Sequence, residues 1–387
     1  MIFLLVSSSI FLCYTLLLLA ISAGWWKLNV FKIAGQQHKI KISVIVAVRN
    51  EVSTIESLLK SLLQQDYPPD LFEIIIVDDH SSDETNRFFS EIAANQEAGP
   101  VLKIYTLSQN DDFGKKAALT RGIKSSTGEL IVITDADCTA GSSWISTLAA
   151  FYDQYKPHMI LGPVQMTDDG SIFGKFQSLE FMSLISTAAG SCSAGFPLLA
   201  NGANIAFTRH AFESCGGFSG HIKFPSGDDM FLMMSIKMKF GAGSIRFLKS
   251  AEAIVKTTPI KGIKPFLHQR MRWVSKSKAY TDLMLIATSI LVYLANAILL
   301  ISGFSAFIFP GFYKLFLVLY LAKMVIDFPL MIGFARFQKS GALLWLFPFM
   351  EIANAFYTVF IGIAGNIWTY EWKGRKSREN YQKSATK

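Results

Sequence analysis

The chain opens on an uncharged apolar run over 2–23, ends in a second apolar zone over 283–368, and between them alternates short apolar stretches with segments of helical spacing. At ~1.5 Å of rise per residue, a helix over the first run crosses a ~30 Å hydrocarbon core. No basic residue precedes this run and no small-residue cleavage pattern follows it. Instead Trp25, Trp26, Lys27 and Lys32 come at once, as at a headgroup interface. This pattern favours a retained anchor over a cleaved signal peptide. The terminal zone divides at 303–311 and 336–341, predicting spans near 283–303, 313–335 and 342–366. The middle span carries Lys314, Lys323 and Asp327, and the last carries Glu351. Lys323 and Asp327, four apart, share a helix face on which they neutralise each other away from lipid.

Basic residues in the short loops put Lys27, Lys32 and Lys39, the cluster over 256–278, and Arg336 with Lys339 on the cytoplasmic side. The amino terminus is then outside. Three full later spans put the tail outside as well, although its Lys373, Arg375, Lys376 and Arg378 favour the inside. The parity conflict leaves one late segment as a candidate re-entrant or interfacial element. The expectation is an integral protein of the inner, cytoplasmic membrane with its middle domain in the cytosol.

That middle stretch, 40–248, has the alternation of an α/β domain with a largely parallel sheet. Strands are expected at 42–48, 73–77, 102–106, 129–134 and 159–162, with helices near 53–64, 83–95 and 115–125. In such a sheet ligands collect beyond the carboxyl ends of the strands. The residues there are acidic: Asp78-Asp79-His80-Ser81-Ser82-Asp83 after the second strand, and Asp135-Ala136-Asp137-Cys138 after the fourth. One acidic turn alone reads as a strand-end turn with a helix cap. Two facing one crevice repel each other unless a cation neutralises them. Mg²⁺ or Mn²⁺ suits this setting, because either takes one or two carboxylates and completes its shell with phosphate oxygens.

Between these turns Gly114-Lys115-Lys116 opens a helix whose free backbone donors and basic side chains suit a diphosphate, without the spacing of a P-loop. Farther on, Gly227-Asp228-Asp229 starts an apolar helix. That pair reads either as a cap with a dipole-stabilised first turn or as a general base, with Asp229 the base and Asp228 its neighbour. In His268-Gln269-Arg270-Met271-Arg272-Trp273 two compatible readings meet: an interfacial helix, and a cover that aims Arg270 or Arg272 at a leaving diphosphate. The stretch 173–202 reads as lining an acceptor path or as an amphipathic surface helix followed by the turn at Asn201-Gly202-Ala203-Asn204.

Composition narrows the function classes. With 51% hydrophobic and 17% charged residues, the chain holds more apolar side chain than one water-soluble core needs. The net charge of +8 sits where the chain enters and leaves the apolar segments, which fits anionic lipid rather than nucleic acid. The cysteines Cys13, Cys138, Cys192 and Cys215 have no metal-ligand spacing and read as free thiols of a reduced compartment.

Taken together, Ala47-Val48-Arg49-Asn50-Glu51, the Asp78-Asp79 turn, Gly114-Lys115 with Ala118-Leu119, Asp135-Ala136-Asp137, Gly227-Asp228-Asp229 and Gln269-Arg270-Met271-Arg272-Trp273 stand in an order that resembles the inverting family 2 glycosyltransferases with the GT-A fold. The resemblance covers roughly 40–280. It implies that Asn50, Glu51, Asp78 and Asp79 frame the nucleoside and that Lys115 approaches the diphosphate. It further implies that Asp135 and Asp137 bind ribose and a divalent metal, Mg or Mn, and that Asp229 takes the acceptor proton. Gln269, Arg272 and Trp273, with Arg270 inside the box, are placed by it near acceptor and diphosphate. Two departures are Val48-Arg49, where the family often has proline and a small or aromatic residue, and Gly227-Asp228-Asp229, where many members have a Glu-Asp pair.

The implied layout is a 1–24 anchor, a 25–255 GT-A domain, a 256–281 interfacial helix, a 282–368 membrane region and a 369–387 basic tail. The implied reaction is an inverting transfer from a nucleotide sugar, a UDP-sugar foremost, to a lipid or glycan acceptor at the membrane, without nucleic acid. The layout resembles ceramide glucosyltransferase. Processive polysaccharide synthases share the Gln-x-x-Arg-Trp box and form the alternative. A non-catalytic nucleotide-binding membrane protein, or a transporter using Lys323, Asp327 and Glu351, stands behind both.

Overall fold

The computed structural model describes residues 2–33, 39–95, 99–108, 113–221, 226–372 and 375–376; most of the expected basic tail lies outside them. The strands run β1 (Ile42–Val48), β2 (Phe72–Asp78), β3 (Val101–Thr106), β4 (Leu130–Asp135), β5 (Thr139–Ala140), β6 (Met159–Leu161), β7 (Val164–Met166), β8 (Ile205–Thr208), β9 (Ile245–Phe247) and β10 (Val255–Thr257). The helices run α1 (Ile2–Lys27), α2 (Ile55–Leu63), α3 (Thr85–Asn95), α4 (Lys115–Ser125), α5 (Trp144–Tyr155), α6 (Ile172–Ser193), α7 (Arg209–Ser214), α8 (Asp228–Phe240), α9 (Ile263–Ser275), α10 (Leu283–Ile308), α11 (Gly311–Phe337) and α12 (Phe347–Ile367). They form two compact units: Asn29–Thr167 with Leu199–Thr258, and Met1–Leu28 with Asp168–Leu198 and Pro259–Trp372.

The first unit is built on a sheet of order β3-β2-β1-β4-β8-β6-β9. β3, β2, β1 and β4 pair in parallel, and β8 runs antiparallel between β4 and β6. Both faces of the parallel core are covered, so β1, β2 and β4 are buried, almost unbroken apolar runs. The five expected strands fall within a residue of their positions. The reversed β8 and the small sheet β5-β10-β7 were not foreseen, because their two- to four-residue strands are too short to carry a period. The acidic turns leave the carboxyl ends of β2 and β4, which flank β1 on either side.

At the opposite end of the same sheet Glu73, 6% exposed, ties three segments together. It accepts from Ser43 Oγ at 2.6 Å, Lys103 Nζ at 2.7 Å and the backbone N–H of Thr127 at 2.5 Å. Burial alone pushes its carboxyl up, but these donors outweigh it and hold the pKa at about 2.

In the helical unit, α1 packs on α6, α10 and α11, and α12 packs on α9 and α10. Four helices are long and apolar enough to cross a membrane: Ile2–Lys27, Leu283–Ile308, Gly311–Phe337 and Gly341–Ile367. Three of the charges within them are gathered together. Lys323, 2% exposed, pairs with Asp327 at 2.7 Å and with Glu351 at 2.5 Å, while Tyr14 Oη donates to both Asp327 oxygens at 2.7 and 2.9 Å. This cluster joins α1, α11 and α12 away from lipid, as the four-residue spacing predicts for its Lys–Asp pair. The 173–202 stretch differs from its surface-helix reading: α6 is buried along most of its length, and Gln177 at its start exchanges hydrogen bonds of 2.9 and 3.0 Å with the backbone of Ile260. Its buried positions run all round the helix, because it sits among other helices and not at a boundary with water.

Two outcomes follow. Glu73→Gln loses about 1–3 kcal/mol of unfolding free energy at neutral pH. Because the folded pKa lies below the ordinary value of 4.5, the wild-type advantage is full above about 4.5 and disappears as the pH falls towards about 2; denaturation against pH checks it. Lys323→Met strands the buried Glu351 and the partly buried Asp327 and lowers stability by about 3–5 kcal/mol, and adding Asp327→Asn and Glu351→Gln recovers most of it in thermal unfolding in nanodiscs.

Candidate active site

The site grows from the loops that leave β1, β2 and β4 and from the starts of α4 and α8. After β1 the chain turns at Asn50 with φ 52°, and after β2 at His80 with φ 57°, both left-handed positions that most side chains avoid. The two turns are laced to each other. The Asn50 N–H donates to Ser81 Oγ at 2.9 Å, and Asn50 Oδ1 accepts from the Ser82 N–H at 2.8 Å. Arg49, one of the departures from the family pattern, donates from Nη1 to the carbonyls of Asp79 and His80 at 2.6 and 2.8 Å. Asp78 is fully buried and accepts from the Ser81 hydroxyl and backbone, so its carboxylate builds the turn. Glu51 accepts from Thr54 Oγ1 at 2.8 Å at the entry to α2.

Asp79 connects this corner to the next. Its Oδ1 accepts from the Gly114 N–H at 3.1 Å and lies 3.1 Å from His80 Nδ1, while the His80 ring stacks on Phe113 with centroids 4.4 Å apart. Gly114 takes φ 101° to open α4, a turn that favours glycine. The next residue, Lys115, then reaches the centre: its Nζ lies 2.6 Å from Asp135 Oδ1 and 3.5 Å from Asp228 Oδ2. Burial disfavours its charge, but Asp135, Asp228 and Asp229 together hold its ammonium well above the ordinary lysine range.

Asp229 is more open than Asp228, which is 5% exposed. Its Oδ2 accepts from the Gly202 N–H at 3.0 Å and its Oδ1 from the Met230 N–H at 2.7 Å, so two backbone donors orient the carboxylate at the first turn of α8. A Cβ on Gly202 would lie 3.2 Å from Lys115 Nζ and 3.7 Å from Oδ2 of both Asp228 and Asp229. Gly202 is thus a wall of the pocket, at the end of the stretch that the sequence presents either as lining an acceptor path or as a surface helix and turn. Asn204, two residues on, accepts from Trp144 Nε1 at 3.1 Å and donates to the carbonyls of Pro163 and Ala253 at 2.8 Å, which seats that turn in the core.

In Asp135-Ala136-Asp137 the alanine is buried and both aspartates are partly open. Asp137 lies in a turn past the end of β4, with Thr257 Oγ1 3.5 Å from its Oδ2. Among the described residues no group of three or more His, Cys, Asp and Glu is arranged to hold a metal ion. Asp79, Lys115, Asp135, Asp228 and Asp229 thus form one linked chain of contacts, with Asp137 two residues beyond. Gln269, Arg270, Arg272 and Trp273 lie on α9 in the helical unit. Arg270 is buried there, its guanidinium held by Glu180.

Residues 43–215 match the profile described as Glycosyl transferase family 2, and residues 130–360, more than half of the chain, match Glycosyl transferase family group 2. The chain belongs to the family 2 glycosyltransferases. Beta-monoglucosyldiacylglycerol synthase of Trichormus variabilis is 26% identical over 238 residues, covering 60% of this chain and 48% of the relative. Poly-beta-1,6-N-acetyl-D-glucosamine synthase of Staphylococcus epidermidis is 33% identical over 182 residues, covering 45% and 41%. Undecaprenyl-phosphate 4-deoxy-4-formamido-L-arabinose transferase of Klebsiella pneumoniae is 28% identical over 180 residues, covering 45% and 50%. The chain therefore spans half or less of the length of these curated relatives. A mannosyltransferase of Pyrobaculum calidifontis, solved with GDP-Man and Mn²⁺, shares the GT-A fold at TM-score 0.56 and 20% identity, over 95% of this chain and 97% of that one.

In this glycosyltransferase, Lys115→Met removes the one ammonium that three carboxylates surround. Donor binding, measured as the KM for the nucleotide sugar, weakens about 10- to 100-fold, the worth of one charge-assisted hydrogen bond; an unchanged KM places the diphosphate elsewhere.

Proposed function

We propose that this protein moves a sugar from a nucleotide donor, a UDP-sugar foremost, onto a lipid or lipid-linked acceptor at the cytoplasmic face of a membrane, with inversion at the sugar carbon. The observation that carries this reading is the convergence of Lys115, Asp135, Asp228 and Asp229 beside the Gly202 N–H. The four span-length helices and the lipid-modifying relatives support an acceptor presented by the bilayer.

Three carboxylates around a single ammonium leave the pocket with excess negative charge, which an incoming diphosphate increases. A divalent cation, Mg²⁺ or Mn²⁺, resolves that conflict, and a site of two protein carboxylates suits an ion that takes phosphate oxygens for the rest of its shell. Asp137 and Asp135 are the residues that would hold it. When bound, the ion neutralises charge on the leaving nucleotide diphosphate.

The chain's own residues do the remaining work. Asn50, Glu51, Asp78 and Asp79, rigid through Arg49 and Ser81, frame the nucleoside. Lys115 exchanges Asp135 for a diphosphate oxygen as the donor enters, an exchange between two anionic partners at similar reach. Asp229 accepts the proton of the acceptor hydroxyl as that oxygen attacks the sugar carbon, its orientation set by the Gly202 and Met230 N–H groups. Gln269, Arg272 and Trp273 serve the acceptor side.

Processive polymer synthesis is the second reading, favoured by the 33% identity to the poly-N-acetylglucosamine synthase. Membranes containing the protein, given a panel of labelled nucleotide sugars with Mg²⁺ or Mn²⁺, separate the two. Label in the lipid extract supports the proposal, whereas insoluble polymer supports the synthase. Asp229→Asn lowers transfer about 10²- to 10⁴-fold with donor affinity unchanged; full transfer by that variant removes Asp229 as the base.

A further inference from the structure

Arg270 stands inside the Gln-x-x-Arg-Trp box, but it is 1% exposed and belongs to a buried polar cluster of the helical unit. Its Nε and Nη2 meet the two Glu180 oxygens, at 3.1 and 2.5 Å, as a bidentate fork, and Tyr357 Oη donates to Glu180 Oε1 at 3.1 Å. Glu180 lies on α6 and Tyr357 on α12, so this cluster ties both helices to α9. The aromatic rings of Phe173 and Phe176 pack edge-on against Phe266, and Phe176 packs against Tyr357, closing the cluster off from water.

The guanidinium also touches the two neighbours that matter. Its Nη1 donates to Gln269 Oε1, and its Cζ lies 4.1 Å from the Trp273 ring centroid and 4.6 Å from that of Phe266. A bidentate Arg–carboxylate pair fixes the guanidinium plane as well as its place. Here that plane sets one face of the Trp273 indole and one hydrogen bond of the Gln269 amide. Removing one partner of a pair buried this deeply leaves the other charged and unmatched, so the plane is lost with either partner.

We propose that Glu180 and Arg270 are positioning residues that hold Gln269 and Trp273 in the pose needed to receive the acceptor, and that Arg270 does not bind the diphosphate. The proposal rests on the transferase reading above for what Gln269 and Trp273 do, and on the buried fork for how they are held. Glu180 carries no motif of its own. Arg270 turns from a candidate ligand contact into a strut because Nε and Nη2 meet Glu180, Nη1 meets Gln269, and Cζ lies over the Phe266 and Trp273 rings.

The test uses the full chain in nanodiscs, with polar-lipid vesicles as acceptor source and the labelled nucleotide sugar that the wild type turns over. Glu180→Gln lowers lipid-extractable product about tenfold at limiting vesicles and regains part of it at high vesicle concentration, while release of free sugar without vesicles stays within about twofold. Arg270→Lys, which keeps the charge but not the fork, matches Glu180→Gln in its demand for vesicles. The double variant is no worse than either single one by more than about twofold, as two residues acting through one contact require. Loss of transfer and free-sugar release in equal measure, no loss at all, or a wild-type-like Arg270→Lys overturns the positioning role.

Hydrogen exchange supplies a readout without sugar transfer. In Glu180→Gln, amides of 263–275 exchange at least about tenfold faster while those of 228–240 do not change; equal protection of 263–275 in both proteins overturns the proposal. A wild type that transfers no sugar refutes the transferase reading, and exchange still decides whether the fork orders this helix.

Discussion

Carboxylates brought within a few ångströms of one another repel unless something positive stands between them, and here the half-buried ammonium of Lys115 does so. It is 2.6 Å from Asp135, 3.5 Å from Asp228 and within the field of Asp229. These residues come from the end of β4, the start of α4 and the start of α8, so the sheet order and the helix entry points are bound to one electrostatic compromise. Gly202 completes it, because any side chain there would press on the ammonium. One positive charge does not balance three negative ones. In the function proposed above, a cation that arrives with its own anionic guest makes up this deficit.

The same physical problem is met differently in the helical unit. There Lys323, Asp327 and Glu351 neutralise one another beneath the lipid-facing surface, with the Tyr14 hydroxyl completing the contacts. The Glu180–Arg270 fork, outside the four spans, follows the same rule: a buried charge is tolerated only beside its opposite and with its remaining donors used. Charge pairing in this chain thus has two roles. Around Lys323 and Arg270 the buried charges have protein partners, which makes rigid joints. In the α/β unit Glu73 and Lys103 pair in the same way, whereas around Lys115 the carboxylates outnumber the ammonium.

Family membership and site geometry bear on different questions. The profile matches place the chain among the family 2 glycosyltransferases, and the fold shared with the Pyrobaculum mannosyltransferase is GT-A. Neither chooses the acceptor. In the reading proposed above, α9 meets the acceptor, and the residues that hold α9 are buried ones on neighbouring helices.

Much of this was legible in the residues alone. Strands buried on both faces must read as apolar runs, so β1, β2 and β4 were visible, and the two acidic turns just past β2 and β4 marked the edge where ligands collect in such sheets. Span-length helices were visible because lipid tolerates little else. The Asp135, Asp137, Asp228 and Asp229 carboxylates stood out because uncompensated acid next to apolar strands is costly. What sequence could not show is which distant groups meet. The N–H of Gly202 on Asp229, the Arg49 clamp on the Asp79 turn, and the reversal of β8 depend on backbone paths joined across 27 or more residues. The direction of Arg270 was hidden for the same reason: on a helix the side of a residue is set by its number, but what waits on that side is set by the partner helix. Local periodicity determined the elements and their chemistry, and packing decided which charges became joints and which became a site.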